Sequence, residues 1–139
     1  MVADPAKRTV LFLGANAASA ELLGLKGEYE AIEQALARAR KQHKLRVVSE
    51  YAVTDDDLRR ALLNHEPEIV HFSGHGAGRN GLVFEDAGEP LFISGDALAG
   101  LLSLCSSHVK CVVLNACYSD VQARSISSVV EYVIGMSRG

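Results

Sequence analysis

Two side chains in this 139-residue chain can do chemistry together. His75 lies in Ile69–Gly76, read as IVHFSGHG, and Cys117 lies in 112–120, read as VVLNACYSD. A cysteine attacks a carbonyl only as its thiolate. An imidazole can accept the thiol proton or pair with the thiolate as imidazolium. The two residues are 42 positions apart (117 − 75), and each follows an apolar run. Gly74 and Gly76 flank the histidine. They allow backbone conformations closed to other residues and leave room for a substrate main chain. The N–H groups of Gly76 and Cys117 can together hold an oxyanion. Two plainer readings stand beside this one: a glycine-rich turn with an incidental histidine, and a small core cysteine.

The other candidates weigh less. Cys105 lies among Leu101, Leu102 and Leu104 on an expected helix, and Cys111 lies at the start of a strand. Both read as core thiols. The cysteines are evenly spaced by six positions (111 − 105, 117 − 111), which matches no metal-site pattern. His71 precedes His75 by four positions on the same strand and reads as a hydrogen-bonded interior histidine with a secondary positioning role as the alternative. His43, His65 and His108 fall at helix ends or in loops and read as solvated. A zinc site from His71, His75 and Cys117 lacks a short ligand pair, so neither metal nor cofactor is expected.

The elements that must position the pair follow from hydrophobic periodicity. RTVLFLGAN is a buried strand ending at Gly14. Tyr29, Ile32, Leu36 and Ala39 recur at helical spacing, so an amphipathic helix follows. Glu28 and Glu30 early and Arg40, Lys41 and Lys44 late suit its dipole. LRVVSEYAV is a second strand. Thr54 caps a short helix with three acids in its first turn, and Pro67 ends it. EIVHFSG is the third strand. NGLVFEDAGEPLFIS reads as a β-hairpin after it. Ser94 caps a helix, VKCVVLNACYS is the fourth buried strand, a helix runs from about Gln122 to Val130, and YVIGM is a last short strand. Strands alternating with helices imply a mostly parallel sheet covered on both faces, an α/β three-layer sandwich. Working groups in such folds gather beyond the C-terminal strand ends. His75 and Cys117 both lie there, on consecutive strands that should be neighbours.

Composition narrows the partners. The chain is 48% hydrophobic and 22% charged, enough for one domain with one core, and its net charge is −3. No cluster of Lys or Arg with aromatics supports nucleic-acid binding. No apolar run approaches the ~18 residues that span a bilayer. The N-terminus has no apolar leader segment, and three cysteines without one suit free thiols in a reducing, cytoplasmic compartment.

HFSGHG and VVLNACYS, after an opening VLFLGAN strand, resemble the CHAT domains of the caspase-like cysteine peptidase superfamily, relatives of caspases, metacaspases and separases. The resemblance runs through nearly the whole chain in order. It implies that His75 is the catalytic base and Cys117 the nucleophile of an endopeptidase acting on protein or peptide substrates. It also implies flanking regulatory domains or a partner chain, and further C-terminal strand and helix segments beyond 139. In that superfamily the ends of the first and fourth strands line the pocket for the side chain preceding the cleaved bond. Here Asn16, Asn115 and Asp120 stand at those positions. Asparagine cannot supply the charge that a buried guanidinium needs, so a neutral or apolar side chain is expected there. A dinucleotide-binding fold is excluded because GANAAS lacks the glycines of a phosphate loop. Two other functions remain open: a catalytically silent or incomplete interaction module within a larger assembly, and a small-molecule amidase using an active thiol.

Overall fold

A computed structural model describes residues 8–15, 27, 30–31, 33–35, 38, 45–51, 54–86, 89–104 and 107–137. Its elements are β1 (Arg8–Ala15), β2 (Leu45–Tyr51), α1 (Asp55–His65), β3 (Ile69–Gly76), a 3-10 turn (Gly78–Asn80), β4 (Leu82–Asp86), β5 (Glu89–Ile93), α2 (Gly95–Leu104), β6 (Cys111–Asn115), α3 (Asp120–Ile126) and β7 (Tyr132–Ile134). Within the helix expected from Tyr29 to Ala39, residues 30, 31, 33–35 and 38 are described and helical. The rest of that span, Asn16, His43 and Cys105 lie outside the described residues.

The parallel part of the sheet runs β2-β1-β3-β6-β7. The last two residues of β3 leave it and pair antiparallel with β4, which pairs antiparallel with β5. Successive strand side chains point to opposite faces. One face therefore carries Leu11, Leu13, Val70, Phe72, Val112 and Leu114, which pack in one buried cluster with Leu58 and Leu62 of α1, Leu98 and Leu102 of α2, and Ile126 of α3. Val10 and Phe12 on the opposite face are buried too. The architecture is the α/β, mostly parallel, helix-flanked sheet expected from the alternation of elements. Among the described residues no helix is long and apolar enough to cross a membrane.

Local chemistry sets the helix limits. Thr54 Oγ1 accepts from the Asp57 N–H, and the Asp57 carboxylate accepts from the Thr54 N–H, a reciprocal cap. Glu66 closes α1 in the left-handed region before Pro67 (φ 45°). Ser94 Oγ accepts from the Ala97 N–H at the start of α2. The helix expected over 122–130 instead spans Asp120–Ile126. Its end has a physical cause: Ser127 Oγ donates to the Arg124 carbonyl (2.6 Å) and Ser128 Oγ to the Ser125 carbonyl (2.8 Å). These serines supply local partners that compete with helical continuation.

Candidate active site

The register of β3 against β6 ends just short of the two chemistry-bearing residues. Ser73 pairs with Asn115, the last pair of that ladder. His75 is two residues beyond Ser73, and Cys117 is two residues beyond Asn115. His75 is exposed and Cys117 half-buried, so solvent reaches both. The two chain segments also touch. A Cβ added to Gly76 would overlap the Cys117 carbonyl oxygen and lie 3.1 Å from the Cys117 carbonyl carbon and 3.3 Å from its nitrogen. Glycine at 76 is therefore a condition for the closeness of the two loops, beyond any conformational freedom it confers.

The cysteine turn is built to stay where it is. Tyr118 has φ 54°, a left-handed conformation that costs a non-glycine residue about 1–2 kcal/mol. Such strain persists where surrounding contacts over-determine it, as at functional sites. The contacts here are identifiable. Ser119 is fully buried; its Oγ donates to the Leu114 carbonyl and accepts from the Met136 N–H, both at 3.0 Å. The Asp120 N–H donates to the Met136 carbonyl at 3.0 Å. This close approach needs Gly135, where an added Cβ would lie 2.9 Å from the Ser119 carbonyl oxygen and 3.1 Å from the Asp120 Cα. The segment after β7 thus buttresses the turn that carries Cys117. Removing the hydroxyl in Ser119→Ala leaves the Leu114 carbonyl and Met136 N–H short of a partner. It should lower unfolding free energy by about 1–3 kcal/mol in urea titration. An unchanged urea midpoint would show that the buttress contributes nothing.

The histidine loop has its own tie to the same region. Gln122 in α3 is fully buried, and its Nε2 donates to the Gly78 carbonyl at 2.5 Å. Sequence reading missed Ser119, Gln122, Gly135 and Met136. One signal for Gln122 was present: it precedes Ile126 by four positions and so sits on the inward stripe of a helix, where an amide needs a reason to be.

The remaining expected residues fall as follows. Asn115 ends β6 and is exposed. Asp120 opens α3, with its carboxylate 3.7 Å from the Arg124 guanidinium. His71 stacks on Phe12, with ring centroids 5.4 Å apart and planes at 16°, which suits the interior reading. His65 is not simply solvated, because its Nε2 lies 2.8 Å from the Glu50 carboxylate. His108 is exposed, 4.0 Å from the Glu66 carboxylate. Cys111 stands at the opposite end of β6 from the site, and burial pushes its thiol above the ordinary range. Among the described residues no group of three or more His, Cys, Asp or Glu side chains is placed to hold a metal ion.

Comparison with known proteins gives the same direction. The sequence model of the CHAT domain family matches residues 2–139. A "Probable protease" from Gillisia limnaea is 25% identical over 138 residues, covering 97% of this chain and 24% of the relative. A "Roc-COR-CHAT protease" from an unknown prokaryotic organism is 26% identical over 142 residues, covering 96% of this chain and 13% of the relative. The chain therefore spans a quarter or less of the length of these curated relatives.

Proposed function

This chain belongs to the CHAT domain family, and from that membership and the geometry of the two strand ends we propose that it is a cysteine endopeptidase domain using His75 and Cys117. The observation that carries the reading is the contact of the Gly76 and Cys117 main chains at the end of the β3–β6 ladder. Protease names among the relatives support the reaction class.

In this reading Cys117 Sγ attacks the carbonyl carbon of a peptide bond after His75 has taken the thiol proton. The N–H groups of Gly76 and Cys117 donate to the developing oxyanion. His75 returns the proton to the departing amine, leaving a thioester. Water then attacks the thioester, with His75 again as base, and releases the acid and the free thiol. The exposed His75 and half-buried Cys117 suit an extended chain laid across the strand ends. In this reading Asn115 and Asp120 line the pocket for the residue before the cleaved bond, to which the family resemblance also assigns Asn16. Pairing of Asp120 with Arg124 offsets the one carboxylate among them, so a neutral or apolar residue is preferred there. The short share of each relative that the chain covers favours flanking domains that regulate it.

A thiol-reactive probe tests the activation of Cys117. At neutral pH Cys117 should be alkylated roughly tenfold or more faster than Cys111. The sign follows from burial: Cys111 has its thiol pushed up, so its reactive thiolate form is depleted until the pH is raised. Peptide mapping after brief labelling reads the order, and equal labelling of the two sites would remove the case for an activated thiol.

A further inference from the structure

The Gly78 loop touches the cysteine-bearing region at two points. One is steric, where Gly76 lies against the Cys117 main chain. The other is polar, where the Gln122 Nε2 holds the Gly78 carbonyl. Gly78 lies three residues after His75, and Gln122 lies five residues after Cys117. A loop held at one point can pivot about it, whereas a loop held at two has its angle fixed. The second point is costly to keep. Gln122 is fully buried, and its Oε1 has no hydrogen-bond partner. A buried acceptor without a partner has given up its hydration with no bond in return. The Gly78 carbonyl does not need Gln122 for its own sake, because it already accepts from the Gly81 N–H at 3.1 Å. Stability alone therefore gives a weak reason for an amide at this position, and an apolar side chain of similar size would serve the core better.

We propose that Gln122 is a positioning residue for the His75–Cys117 pair, setting the angle at which the glycine loop presents His75 to the cysteine turn. This rests on the dyad reading above. It separates two quantities that usually move together. In Gln122→Met the clamp is lost together with the orphan acceptor, and the Gly78 carbonyl keeps its bond from Gly81. The thermal midpoint should stay level or rise. The rate of Cys117 alkylation at neutral pH, relative to strongly alkaline pH where any thiol is ionised, should fall about tenfold, within the hundredfold that an ångström of misplacement costs. Alkylation of Cys111 serves as the internal control and should not change.

Gln122→Glu gives the second reading. Its introduced carboxyl keeps a donor to the Gly78 carbonyl while protonated and loses it on ionisation. Cys117 alkylation relative to wild type should be near one in mild acid and fall as the pH rises through that ionisation. If Gln122→Met does not fold, this pH-dependent ratio decides. The positioning role is overturned if wild type and His75→Ala differ in Cys117 alkylation while the Gln122 variants match wild type at every pH. If His75→Ala itself alkylates like wild type, the dyad reading fails instead.

Discussion

Cys117→Ala should lower peptide-bond cleavage by roughly 10³-fold or more, and His75→Ala should lower it nearly as far, with little further loss in the double variant. The non-additivity is the informative part. A nucleophile and its base act as one unit, so removing either removes the covalent route. Residual activity would come from the Gly76 and Cys117 N–H groups and from substrate binding alone. Neither substitution should unfold the chain: His75 is exposed and Cys117 only half-buried. Circular dichroism and the thermal midpoint should therefore match wild type while activity is lost. The assay is cleavage of a mixed peptide library by the protein as its gene encodes it, followed by sequencing of the products. Cleavage after neutral or apolar residues is the expected pattern. Robust cleavage by Cys117→Ala would exclude the cysteine mechanism, and a domain that binds peptides without cutting them would revive the silent interaction module.

Much of the fold that carries these residues was legible from residue types, because its logic is local. An apolar run marks each buried strand. The parallel fold sends chemistry to the C-terminal ends, and consecutive strands tend to be neighbours. These rules put His75 and Cys117 just past the ends of neighbouring strands, and the β3–β6 ladder does end at Ser73–Asn115, two residues before each. The supports were not legible, because they join residues distant in sequence through packing. Gln122 reaches Gly78 across 44 positions, and Met136 reaches Ser119 across 17. A glutamine on the inward stripe of a helix signals that it has a partner but not which one, and a lone serine or methionine signals neither. The end of α3 was misjudged for a related reason. Ser127 and Ser128 look neutral in a helical pattern, yet their hydroxyls bond the Arg124 and Ser125 carbonyls where the helix stops.

Gly76 was readable as a glycine beside a histidine, but its strictest requirement is steric, and this gives the sharpest structural prediction. In Gly76→Ala the new methyl would overlap the Cys117 carbonyl oxygen and press on the carbonyl carbon at 3.1 Å. Every one of those atoms is backbone, so no side chain can rotate away. Relief must come from moving one loop off the other. Forced overpacking typically costs about 1–3 kcal/mol, and a shift of an ångström at a reacting pair costs about a hundredfold in rate. Gly76→Ala should therefore lower the thermal midpoint and depress cleavage by about that factor in the fraction that remains folded. Gly100→Ala is the matched control. It makes the same chemical change on an exposed turn of α2, where an added Cβ meets nothing within 4 Å. There the gain in helix propensity should stabilise by about 0.5–1 kcal/mol and leave cleavage untouched. One methyl group thus acts with opposite signs at two glycines. Wild-type activity and stability in Gly76→Ala would mean that the two loops are not packed together as the dyad requires.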